Sequence, residues 1–111
     1  MIPDRIKVKG FIMNLGGEDY VLAPLALGPF QQLEERIMAF GRQELDEKTS
    51  TDTLLQMAYH SLRRNYDDVT MERVGEIVGL EHSTDLFLAV MDVSGLRRKE
   101  AEAQSGEARL G

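Results

Sequence analysis

From residue 29 onward the apolar residues recur with the helical period, in four short runs closed by glycines or polar linkers. That pattern constrains the chain more than any other feature. Phe30, Leu33, Ile37 and Phe40 make one face of a first helix, opened by Gly28-Pro29 and capped by Gly41. After a polar loop over 42–50, Thr49 and Asp52 read as the capping box of a second helix, with Leu55, Ala58, Tyr59 and Leu62 facing inward. Arg63 and Arg64 lie in its last turn, where they complement the helix dipole. Thr70 caps a third helix with Met71, Val74, Ile77 and Val78 on its apolar face, ended by Gly79. Ser83 or Thr84 caps a fourth, which ends at Ser94-Gly95. It is apolar on nearly every side from Leu86 to Met91, the mark of a buried helix or one that meets a partner.

The first 25 residues have a different period. Arg5, Lys7 and Lys9 alternate with Ile6 and Val8, and the strand is expected to run on to Met13 with Ile12 beside Ile6 and Val8. Asn14-Leu15-Gly16-Gly17 is the turn, Glu18–Ala23 the return strand, and Pro24 stops the pairing. An isolated hairpin is marginal in water, so this one must lie on the helices or pair with another chain. The expected fold class is α+β and mostly helical: four short helices preceded by an N-terminal β-hairpin at about residues 5–25. One domain is expected over 1–95, with a mobile C-terminal tail over 96–111, where no apolar period remains.

Composition removes several function classes. With no cysteine among 111 residues, thiolate metal sites, iron–sulfur clusters and a cysteine nucleophile are excluded. Net charge is −6; residues 96–111 carry +1, which leaves −7 on residues 1–95. Such a body repels phosphate backbones, so no nucleic-acid partner is expected. A small DNA-binding regulator is the weakest of the readings, because the candidate recognition helix, 83–93, has no Arg, Lys, Asn or Gln to read bases. The longest uncharged stretch, 20–33, is broken by Pro24, Gly28 and Pro29, so no membrane span is expected, and the chain reads as cytoplasmic.

No catalytic set emerges. His60 has Arg63 and Arg64 where a metal site would need a second ligand, and His82 sits in a loop. Asp67-Asp68 lacks the alternating oxygen ligands of a calcium loop. Asn14–Gly17 is followed by a strand and lacks the Lys-Ser/Thr of a phosphate loop. The serines have no nucleophile-elbow setting. No enzyme, cofactor or metal is expected. Six methionines suit an adaptable binding surface. Phe87 and Met91, at i, i+4 on the fourth helix, are the candidate partner-binding residues, joined by Met38 and Met57. They would form a client or self-association surface; the alternative is that all four fill the core.

Several short motifs together carry a resemblance: Gly17 and Tyr20 in the hairpin, Leu22–Gly28, Arg63–Thr70, Val74, Leu86-x-x-Ala89-Val90 and Ser94-Gly95. Over roughly residues 10–95 the chain resembles the tail assembly chaperones of long-tailed bacteriophages and prophages. Asp67 departs from that pattern, standing where a Pro often follows the Tyr. The resemblance implies a non-enzymatic protein of the bacterial cytoplasm that coats the tape-measure protein during tail morphogenesis and is absent from the finished virion. It also implies a longer frameshifted form joined near the C-terminus. A structural or completion protein of the virion is the alternative reading.

Overall fold

The structure is a computed structural model, and it describes residues 6–96. It shows an antiparallel two-stranded hairpin followed by four helices, the expected class. The strands are β1, Phe11–Leu15, and β2, Glu18–Leu22; the helices are α1, Leu27–Gly41, α2, Glu47–Leu62, α3, Met71–Ile77, and α4, Ser83–Val93. A single 3-10 turn, Leu80–His82, leads into α4. Helix α2 is the centre of the fold and packs against β2, α1, α3 and α4.

The hairpin is shorter than its pattern of alternation. Its register pairs Phe11 with Leu22 and Leu15 with Glu18. Continuing it outward would set Lys9 against Pro24, which has no N–H to give. Lys7 and Val8 turn instead to the Asn65 side chain: both backbone N–H groups donate to its Oδ1 at 2.8 Å, and its Nδ2 donates to the Val8 carbonyl at 2.7 Å. Ile6 is therefore no strand residue, and Ile12 is 54% exposed rather than covered. The turn is the two glycines alone, at φ +62° and +90°, as a two-residue hairpin loop requires. Leu15 belongs to the strand and is fully buried.

Three helix ends also differ from expectation. Helix α1 runs through Gly41, and Gln43 takes the left-handed conformation that ends it, at φ 59°. Helix α2 starts before the expected box, because Asp46 is the N-cap and accepts from the Thr49 N–H at 2.7 Å. Thr49 thus sits at the third helical position as donor to the cap. The Thr70 cap of α3 and the glycine after α4, Gly95 at φ 76°, are as expected. Neither Ser83 nor Thr84 caps α4; His82 holds that position.

Helix α2 also buries a face turned by one residue from the expected one. Leu54, Met57, Ala58, Ser61 and Leu62 point inward, whereas Leu55 and Tyr59 are partly exposed. Thr53 and Ser61 share that inward face. Both are fully buried, because each hydroxyl has a carbonyl to donate to: Thr53 to Thr49 at 2.7 Å, Ser61 to Ala23 at 2.8 Å. Leu96, the first residue of the expected tail, is buried in the core. The rest of the expected tail, 97–111, lies outside the described residues, as does Arg5.

Candidate functional site

The C-terminal end of α1, the N-terminal end of α2 and the start of α4 surround an open apolar groove of about 620 Å³. Its floor is Leu54 and Phe87. The Phe87 ring stacks on Phe40 with centroids 4.5 Å apart, and Gly41 passes beside its edge, where a methyl on Gly41 would stand 3.5 Å from Phe87 Cζ. Leu45, Leu55 and Val78 form the sides, all partly buried. Leu80 and Leu88 stand on the rim, 89% and 38% exposed.

Local chain chemistry explains each wall. The reversal after α1 is tightened by backbone bonds from Arg42, Gln43 and Glu44 to the Met38, Phe40 and Ala39 carbonyls, and by an Arg42–Glu44 ion pair at 2.7 Å. It delivers Leu45 to the groove just before the Asp46 cap starts α2. The Thr49 hydroxyl and backbone N–H hold the Asp46 carboxyl below the usual carboxylate range. At the opposite side the Gly79 N–H donates to His82 Nδ1 at 3.1 Å, which folds the 3-10 turn and lifts Leu80 clear of the core.

The polar rim is net negative. Glu47, Ser50 and Thr51 come from α2, and Ser83 and Thr84 from α4; the lining has no basic side chain. Asp46, Glu81 and Asp85 lie on the same loops and first turns, against the one unpaired base there, Lys48, while Glu44 is paired with Arg42. The groove therefore offers apolar floor and sides, hydroxyls for polar contacts and a negative border. Among the described residues no three His, Asp or Glu side chains gather into a metal-binding group.

Of the four expected partner-binding residues, the structure brings one to this groove. Phe87 lines its floor, though it is only 8% exposed. Met57 and Met91 are core residues, 0% and 3% exposed, and are corrected accordingly. For Met57 the reason is the turned face of α2. For Met91 it is that α4 buries Leu86, Phe87, Val90 and Met91 together, so a second apolar face is not left over. Met38 is half-buried on α1 and does not border the groove. Sequence reasoning missed Leu45, Leu80 and Leu88. The signal for the first two was present: each is a lone apolar residue inside an otherwise polar linker.

Several polar residues of the hairpin exit, the segment after α2 and the end of α4 meet elsewhere, in a polar knot at the other end of α2. Side chains satisfy backbone groups of β2 and of the extended segment that follows it. The Val21 N–H donates to the Tyr66 hydroxyl at 3.0 Å and the Leu25 N–H to Ser94 Oγ at 2.9 Å. The Ala23 and Pro24 carbonyls accept from Ser61 and Arg64, each at 2.8 Å. Arg63 lies over the Tyr59 ring at 5.6 Å, and Asp67 holds Lys7 at 2.6 Å. Arg63, Arg64 and Asp67 thus have intramolecular work; Arg97, Arg98 and Lys99 lie outside the described residues. His60 beside them has a lowered pKa, through burial first and the Arg63 charge second, and its Nδ1 is buried without a partner.

Compared with family models, with characterised proteins and with solved structures, the chain matches none.

Proposed function

We propose that the chain is a non-enzymatic binding protein that holds an apolar, basic-flanked helix of a client in the α1–α2–α4 groove. The observation that carries this reading is Leu80. A leucine 89% exposed on the rim of an apolar groove is a surface waiting for a partner, and its neighbours Leu88, Leu55 and Val78 continue the same strip. A helix fits because its anchors at i, i+3/i+4 and i+7 span a groove of this kind. The negative rim favours Lys and Arg beside those anchors.

The resemblance to tail assembly chaperones names a client of this class: the tape-measure protein, long, helical and apolar. On this reading the chain works in the cytoplasm of the bacterial host, shields the client until the tail assembles around it, and leaves before the virion is complete. No helix among the described residues is long and apolar enough to cross a membrane.

The test is binding of tape-measure segments, as labelled helical peptides, to the wild type and to Leu80→Asp. The exposed position leaves the fold intact, so melting should be unchanged while affinity falls at least tenfold. Equal affinity in the two proteins would remove the groove from the function. Mass spectrometry of purified particles separates a chaperone, absent from them, from a structural or completion protein, present in them.

A further inference from the structure

Leu80 has little packing to fix its place. It is 89% exposed, so its position on the rim is set by the backbone of the 3-10 turn. Two hydrogen bonds between Gly79 and His82 close that turn. The His82 N–H donates to the Gly79 carbonyl at 3.0 Å, and the Gly79 N–H donates back to His82 Nδ1 at 3.1 Å. Leu80 and Glu81 lie between the two. The Leu80 carbonyl is held in turn by the Ser83 hydroxyl, at 3.0 Å.

The bond to Nδ1 depends on where the ring carries its proton. Nδ1 accepts only while it holds no hydrogen; the imidazolium ion is a donor at both nitrogens. Protonation sets one N–H against another and breaks the closure. A new partner stands ready. The Glu81 carboxylate folds back over Gly79, into the space a Cβ would fill, and its Oε1 is 3.9 Å from Nδ1. Of the elements around the turn, α3 carries Arg73 and Glu76, α4 has Asp85 in its first turn, and α2 brings Glu47 and Lys48 to the other side of the groove. Among the described residues none of these is ion-paired with the ring.

Resting on the reading of the groove as a client site, we propose that His82 is its positioning residue and its proton switch. The neutral ring holds the turn that presents Leu80. Protonation of Nδ1 by solvent exchanges the Gly79 bond for the Glu81 carboxylate, frees the turn and lowers the affinity for the client. The working range is the one in which a histidine ring changes charge, about pH 5 to 8. The added charge acts in the same direction, since a cation on the rim opposes the Lys and Arg that flank the client's anchors.

The free protein tests the switch, and a client peptide tests its consequence. NMR of the full chain from about pH 8 to about pH 5 follows the His82 ring and the Gly79 and Leu80 amides. All three should move with one midpoint. Affinity for the labelled tape-measure peptides should fall by about fivefold or more over the same range. His82→Asn puts an Oδ1 that does not titrate where Nδ1 stands. It should bind equally well at both ends of the range, and more tightly than His82→Ala. His60→Gln should keep the pH dependence of the wild type. Gly79 and Leu80 amides that stay still while the His82 ring titrates overturn the proposal. So does a pH dependence that survives in His82→Asn, which would place the titration among the rim carboxylates. Peptide bound equally at both ends overturns the switch alone; no binding at either overturns the groove reading with it.

Discussion

Replacing Phe87 by alanine separates the two roles that this side chain combines. The ring is 8% exposed, stacks on Phe40 at 4.5 Å and 29°, and forms the groove floor beside Leu54. Truncating a buried phenylalanine costs ~3–5 kcal/mol, including the cavity left behind. Here one side of the cavity opens onto the groove, so water can enter and the void need not stay empty. The lower end, about 3 kcal/mol, is the expected loss. For a domain of this size that lowers Tm by about 12–24 °C. Urea unfolding followed by circular dichroism measures it, and Phe87→Leu, which keeps most of the volume, should lose less than half as much. A loss below ~1 kcal/mol for the alanine variant would refute the reasoning. It would mean that the ring is replaceable surface and that the burial of α4 is misassigned.

Asn65→Ala removes three hydrogen bonds to Lys7 and Val8; at about 1 kcal/mol each, partly recovered by water, ~2 kcal/mol should be lost in urea unfolding. Amide exchange at Lys7 and Val8 should accelerate in the same variant. Because His60 has a lowered pKa, the unfolded state takes up its proton first as pH falls below about 6.5. Stability is full above that value and is lost as pH falls through the folded pKa; a Tm series from neutral to mildly acid pH should show the drop, and His60→Gln should flatten it. Gly10→Ala places a methyl against the Leu22 carbonyl oxygen, which is backbone and cannot yield. It should cost about 1–3 kcal/mol, read as a lower urea midpoint, and shift the amide resonances of Leu22 and Ala23. Thr70→Ala removes the cap bond to the Arg73 N–H and should cost about 1 kcal/mol in thermal melting.

The class of the fold was legible because period and punctuation agree in this chain. Glycines 16 and 17 need their positive φ, and Thr70 sits where a cap must sit. The errors have a common physical source. Reading α2 required knowing that Thr53 and Ser61 would find carbonyl acceptors in the interior, one of them 38 residues away. Reading the start of β1 required knowing that Asn65 would take the backbone of Lys7 and Val8. Whether a polar residue is buried depends on the acceptor it finds, which residue type alone does not show. The candidate site suffered from the opposite bias. Met57 and Met91 are absorbed by the core, while Leu45 and Leu80 of the groove lie in linkers that look merely polar.

The two ends of α2 divide the labour of the molecule. At its C-terminal end Ser61, Arg64, Asn65 and Tyr66 fasten the segments on either side of the hairpin, and through Pro24 and Leu25 they set where α1 begins. From there α1 runs back along α2, tied by the Arg36–Asp52 pair at 2.8 Å, and its far end supplies Phe40 and Gly41 to the groove. The polar knot therefore aims the helix that walls the apolar site without touching the site itself. This division makes the motif residues poor targets for dissecting binding. Variants such as Asn65→Ala should lower the fraction folded yet leave the affinity of each folded molecule unchanged, whereas Leu80→Asp should do the reverse. Affinity measured per folded protein, rather than apparent binding, is the quantity that tells the knot from the groove.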